Sequence, residues 1–166
     1  VCNPIHGRNS GPITFLTAPE LMRASGGTTE WVLPGICAVG GITELSSKPK
    51  VGKTRFVLAA VNSAVNGLEF LDMAVKKGPV VYLTEEGTAP FAEALERAGL
   101  QGASEVHILS SGRIAAVTQS WESVMDAAIA RATETDAVLL VVDTISVFTR
   151  VEDENDASSA LKAMAP

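Results

Sequence analysis

Ser47-Lys48-Pro49-Lys50-Val51-Gly52-Lys53-Thr54 sits where the chain turns from a strand-like stretch into a helix-like one. Before it, Gly41-Ile42-Thr43-Glu44-Leu45 reads as a short strand. After it, Phe56-Val57-Leu58-Ala59-Ala60-Val61 continues from Lys53 as a mostly apolar helix that Gly67 closes. A strand, a loop ending Gly-Lys-Thr and a helix are the context that a phosphate-binding loop requires. In such a loop the backbone amides and the helix N-terminus face an anion, the lysine reaches the terminal phosphates and the threonine hydroxyl ligates magnesium. Lys53 and Thr54 take those two roles, and Ser47, Lys48, Pro49, Lys50, Val51 and Gly52 form the loop wall. Ser47 stands where the consensus has glycine, but serine accepts many turn geometries, so the loop survives the change. The same eight residues would also serve as an ordinary basic loop ahead of a helix. The choice between the two rests on the rest of the chain.

With 166 residues, 46% of them hydrophobic, the chain can bury a real core and fits one domain. Its net charge of -6 gives no global attraction to nucleic acid or to an acidic membrane, so any such contact has to be local. Cys2 and Cys37 are the two cysteines, one in a polar tail and one in an apolar stretch, which points to reduced thiols rather than a disulfide framework. No apolar run approaches a membrane span and no basic-then-apolar leader opens the chain. A soluble cytoplasmic protein is expected, with no membrane partner. The chain opens on Val1 and stops at Ala163-Met164-Ala165-Pro166, inside what reads as a helix begun near Asp156. This is the pattern of a fragment, truncated at its C-terminus.

Residues 1–14 read as a tail or linker, and residues 15–166 as the domain. Cys2 and His6 are too few ligands for a metal site. Thr17-Ala18-Pro19-Glu20 has capping-box spacing, with Leu16 and Leu21 placed as a hydrophobic staple, and predicts a short helix to about Ser25 that Gly26-Gly27 ends. Trp31-Val32-Leu33-Pro34-Gly35-Ile36 is an apolar segment expected to pack on the core. Pro79-Val80-Val81-Tyr82-Leu83-Thr84 is a β-branched and aromatic run, the pattern of a strand covered on both faces. Thr88 is placed to cap a helix carrying Phe91, Ala94, Leu95 and Ala98 on one face. Glu105-Val106-His107-Ile108-Leu109 predicts a shorter strand in which His107 is a strand-face residue. Ser120 caps a helix whose core positions are Trp121, Val124, Met125, Ala128 and Ile129. Ala137-Val138-Leu139-Leu140-Val141-Val142-Asp143-Thr144 is the most hydrophobic stretch and ends abruptly in a carboxylate. Strands separated by helices imply crossovers and a parallel sheet, hence an α/β fold.

In open parallel sheets ligands collect at the carboxyl ends of the strands. Three such ends carry chemistry here: the phosphate loop, Glu85-Glu86, and Asp143-Thr144. Asp143 is placed to hold magnesium, since this ion takes one or two protein carboxylates plus phosphate oxygens and waters. Glu86 or Glu85 is placed to orient the attacking water beside a terminal phosphate. Thr144 suits either a phosphate sensor or a strand cap. Acidic residues also follow strands simply because loops are solvated.

The conjunction resembles the RecA-like P-loop ATPases of the AAA group, in particular the plasmid and phage replicative-helicase type typified by the hexameric plasmid RepA helicases. The features that carry the resemblance are the Trp-x-x-Pro-Gly lead-in at Trp31 to Gly35, the Lys48 to Thr54 loop, the Val80 to Glu86 strand and its end, Asp143-Thr144, and the segment Glu152 to Asn155. It spans Phe15 to the C-terminus. It implies a RecA-like three-layer sandwich with a mostly parallel sheet, ATP hydrolysis with Mg2+, a hexameric homo-oligomer and single-stranded DNA as partner. By motif position Glu86 aligns with the water-activating glutamate, Glu85 resembles the paired glutamates of the circadian-clock ATPases, and Lys53 serves catalysis as well as binding. The resemblance also implies further strands beyond the Asp143 strand and an interfacial arginine or lysine, which are expected to lie outside this sequence. The acidic run Val151 to Asp156 has the wrong sign for DNA phosphates. Two rivals to a DNA motor remain: an ATP-dependent regulatory switch or assembly ATPase, and a scaffold with a degenerate loop.

Overall fold

The computed structural model describes residues 15–48, 50–110 and 120–144. Cys2, His6, Pro49, the Glu152 to Asn155 segment and the helix expected from Asp156 lie outside them. The layering follows from one strand, β5 (Val80–Thr84), which is buried at all its positions. It pairs in parallel with β6 (Val106–Ser110) on one side and with β7 (Leu139–Asp143) on the other. Pleating sends Val80 and Tyr82 to one face and Val81 and Leu83 to the opposite one. The first face packs on Leu58, Val61, Ala64 and Val65 of α2 (Lys53–Asn66) and on Phe91 of α3 (Thr88–Arg97). The second packs on Val124 and Ala128 of α4 (Trp121–Thr135). Each such aliphatic side chain contributes about 1.5–3 kcal/mol on burial, so a strand clad on both faces holds both helical layers in place. This is a three-layer α/β sandwich.

The helix α3 links β5 to β6 over one face, and α4 lies between β6 and β7 in sequence and covers the other. The two crossovers run in opposite directions along the sheet on opposite faces, as a constant crossover hand requires. The strand order therefore reverses beside β5, and all three strands end on the same side, with Thr84 in register with Ser110 and Asp143. Such a reversal opens a crevice where ligands bind.

Two small antiparallel pairs flank this core: β1 (Trp31–Leu33) with β2 (Cys37–Ala38), and β3 (Glu69–Phe70) with β4 (Met73–Ala74). Val32 and Leu33 pack with Ala60 and Phe70, so the apolar lead-in is fastened to α2, while Trp31 stays half-exposed. The helix α1 (Ala18–Ala24) has its capping box, with the Glu20 carboxylate accepting the Thr17 N–H at 2.8 Å, but it buries no residue. Among the described residues no helix is long and apolar enough to cross a membrane.

Three expectations need correction. Gly41 to Leu45 is not a strand: it pairs with no strand among the described residues, Ile42 is 85% exposed, and Thr43 instead donates its hydroxyl to the Ile36 carbonyl at 2.7 Å. Alternating composition supplies strand propensity, but only a paired neighbour makes a ladder. Thr88 is the first residue of α3 rather than its cap, because the Gly87 carbonyl takes the first helical bond, from the Phe91 N–H at 3.1 Å. Ile129 is exposed, since a turn of 100° per residue that centres Val124 and Ala128 on the sheet carries Ile129 to the flank. Ser120 does cap α4, accepting the Ser123 N–H at 3.3 Å.

Candidate active site

The site begins with a backbone irregularity. Gly52, the residue before α2, has φ 101° and ψ 21°. A Cβ at that position would meet nothing within 4 Å, so glycine is needed for the angle and not for space. A residue with a side chain held there would cost about 1–3 kcal/mol. Lys50 also has a positive φ, 64°. Left-handed residues immediately before a helix turn successive N–H groups to one side and make an anion-binding concavity continuous with the helix N-terminus. Lys53 opens the helix and folds back, donating from Nζ to the Ser47 carbonyl at 2.9 Å. Its ammonium thus bridges the two ends of the loop. Ser47, Gly52 and Lys53 of this bend, together with Leu45, Val51 and Phe56, line a shallow cavity of about 230 Å³.

Thr54, one residue further, points the other way. Its hydroxyl donates to Asp143 Oδ2 at 3.0 Å, joining the first turn of α2 to the end of β7. The same carboxylate oxygen accepts the Tyr82 hydroxyl at 2.8 Å. Tyr82 is wholly buried, and burial first, then the charge of Asp143 and that of Glu86, hold its phenol far above the ordinary value. The phenol is therefore a neutral donor throughout the working range of pH. Oδ1 of Asp143 accepts no hydrogen bond among the described residues.

The two glutamates differ in their surroundings. Glu85 donates its N–H to the Asp143 carbonyl at 3.0 Å and accepts the Thr144 hydroxyl on Oε1 at 2.9 Å, so it is tied to the end of β7. The Asp143–Thr144 peptide between those two contacts is cis. Glu86 is placed by its N–H, which donates to the Thr84 hydroxyl at 3.1 Å, while its carboxylate accepts no hydrogen bond among the described residues. That carboxylate is nonetheless close enough to Tyr82 to raise the phenol.

The residues present fit a nucleotide with a magnesium ion. Thr54 and Asp143 offer hard oxygen donors side by side, the set this cation prefers. Among the described residues no three His, Cys, Asp or Glu side chains converge as a metal-binding group. An ion here would therefore draw its remaining oxygens from phosphate and water. The loop amides, the helix N-terminus and Lys53 supply the positive side of the same crevice.

Helical layers on both faces of a parallel sheet, with a Gly-Lys-Thr loop meeting a strand-terminal aspartate, define a P-loop nucleoside triphosphatase. A family model described as an AAA domain (AAA_25) matches residues 16–165, and the chain belongs to that family. It is accordingly a nucleotide-binding ATPase domain. No curated protein and no solved structure matches the chain.

The structure brings together Lys53, Thr54, Asp143, Glu85 and Glu86, and it places Ser47, Lys48, Lys50, Val51 and Gly52 in one bend; Pro49 lies outside the described residues. Sequence reasoning passed over Tyr82, which reads as one more core aromatic in a buried strand. The available signal was its hydroxyl, since a buried phenol needs an acceptor. The acceptor's identity depends on the β5–β7 register, which pairs Tyr82 with Val141, two residues before Asp143.

Proposed function

We propose that this domain binds ATP with magnesium and hydrolyses it, and that it does so within a DNA replication helicase or helicase-like motor built as a homo-oligomer. The observation that carries the nucleotide part is the 3.0 Å contact between Thr54 and Asp143, which joins the loop to a strand-terminal carboxylate. Lys53 and the loop from Ser47 to Gly52 hold the phosphates. Thr54 and Asp143 hold magnesium, which when bound supplies the charge neutralisation that phosphoryl transfer needs. Glu86 orients the attacking water, the role its carboxylate, which accepts no hydrogen bond among the described residues, suits better than that of Glu85, which holds the Thr144 hydroxyl.

The motor role draws on the resemblance of Trp31 to Gly35, the loop, Val80 to Glu86 and Asp143-Thr144 to the hexameric plasmid helicases. A net charge of -6 favours a second reading, a regulatory or assembly ATPase whose nucleotide state controls protein partners without unwinding DNA. ATP turnover by the full-length protein, measured with and without single-stranded DNA, separates the two. Stimulation by DNA together with strand separation supports the motor, and turnover indifferent to DNA supports the switch.

A further inference from the structure

We propose that Tyr82 is a positioning residue for the metal-binding carboxylate: its buried hydroxyl, bonded to Asp143 Oδ2, holds Asp143 in the orientation that leaves Oδ1 to the metal. The proposal rests on the assignment of Asp143 to magnesium.

A phenol in a dry core is costly unless its hydroxyl is bonded, and a phenylalanine would fill the same space without that requirement. The hydroxyl at Tyr82 has its partner in Asp143, and no buried side-chain polar atom among the described residues lacks one. The ring cannot turn away. It is fully buried among Leu58 and Val61 of α2 and Phe91 of α3, with the Phe91 ring centroid 5.1 Å distant. The donor is therefore fixed by packing from both helices on that face of the sheet.

The carboxylate it holds carries two donors on one oxygen. Thr54 comes from α2 and itself belongs to the metal site, whereas Tyr82 comes from the neighbouring strand and lies behind the carboxylate. A group that orients a ligand without touching the ion affects metal affinity by roughly 10- to 100-fold in known sites. Tyr82 has that placement. Its ring also joins the carboxylate to the helix that carries the phosphate loop, so a shift of α2 would reach Asp143 from two sides.

The test compares this chain with Tyr82→Phe, Asp143→Asn and Phe91→Leu, using a fluorescent ATP analogue titrated with Mg2+. Tyr82→Phe is expected to leave nucleotide affinity in EDTA unchanged and to raise the Mg2+ concentration for half-maximal enhancement of binding by about 10-fold. Phe91→Leu, which loosens the same packing without touching the hydroxyl, is expected to leave that midpoint where it is. An equal shift in Phe91→Leu would make the effect one of packing and overturn the proposal. If Asp143→Asn moves the midpoint and Tyr82→Phe does not, Tyr82 has no positioning role while the metal assignment stands. If Asp143→Asn also leaves it unmoved, the metal assignment fails and takes the proposal with it. Should Tyr82→Phe not fold, fluorotyrosine at Tyr82, the single tyrosine of this chain, gives a second measurement. Its fluorine resonance is expected to shift when Mg2+ is added to the nucleotide-bound protein and to stay fixed in Asp143→Asn; a resonance indifferent to Mg2+ overturns the proposal.

Discussion

Thr54 and Asp143 are 89 residues apart in sequence and 3.0 Å apart in space, hydroxyl to carboxylate. That contact closes the crevice between the phosphate loop and the sheet. If the pair holds magnesium, Asp143→Ala removes a ligand whose charge stabilisation is worth several kcal/mol, so ATP turnover should fall by on the order of 100-fold or more. Nucleotide binding in EDTA should change little. The check is steady-state hydrolysis alongside binding of a fluorescent ATP analogue with and without Mg2+; equal loss of binding in both conditions would point to misfolding instead.

Lys53 holds the Ser47 carbonyl at 2.9 Å, and if it is a phosphate ligand it has to exchange that bond for phosphate oxygens. Charge-assisted bonds of this kind are worth about 1.5–3 kcal/mol, so Lys53→Ala should weaken ATP binding by roughly 10- to 100-fold. Unchanged affinity would sink the phosphate-loop assignment.

Glu86 and Glu85 should separate cleanly. If Glu86 is the base, Glu86→Gln keeps the shape of the loop and removes it, so it should bind ATP normally and lose about 100-fold or more in turnover. Glu85→Gln keeps an acceptor for the Thr144 hydroxyl and should retain most of the activity. The opposite ranking in a single-turnover assay would move the catalytic role to Glu85.

Gly52 tests the loop's backbone. Gly52→Ala meets no steric obstacle, so its cost of about 1–3 kcal/mol comes from the left-handed angle alone. Thermal melts should fall by several degrees, roughly 2–4 °C per kcal/mol for a domain of this size. The loss should shrink when ATP is present only if the altered loop still binds it.

Acid should loosen α1 before the core. The Thr17 hydroxyl and then its backbone N–H hold the Glu20 carboxyl below its ordinary value of 4.5. A depressed carboxyl stabilises the folded helix above its unfolded value, and that contribution is lost as pH falls from there through the folded value. Amide exchange of Ala18 to Ala24 should therefore accelerate below about pH 4.5 relative to the β5 amides. Glu20→Gln should shift the onset.

What the sequence by itself determined was everything that local chemistry encodes. The loop ending Gly-Lys-Thr, the α2 helix with its Gly67 stop, the doubly covered β5 run and the apolar strand ending at Asp143 all follow from residue period, β-branching and a few special backbone positions. The tertiary structure alone decided which of these elements meet. It denied Gly41 to Leu45 a pairing partner among the described residues, since propensity does not supply a neighbour. It set β7 beside β5 in a register that brings Tyr82 to Asp143 and Glu85 to Thr144. Register and strand order are long-range choices fixed by packing on both faces at once, and so a hydroxyl that reads as one more core tyrosine becomes a contact to the site's carboxylate only when the sheet is assembled.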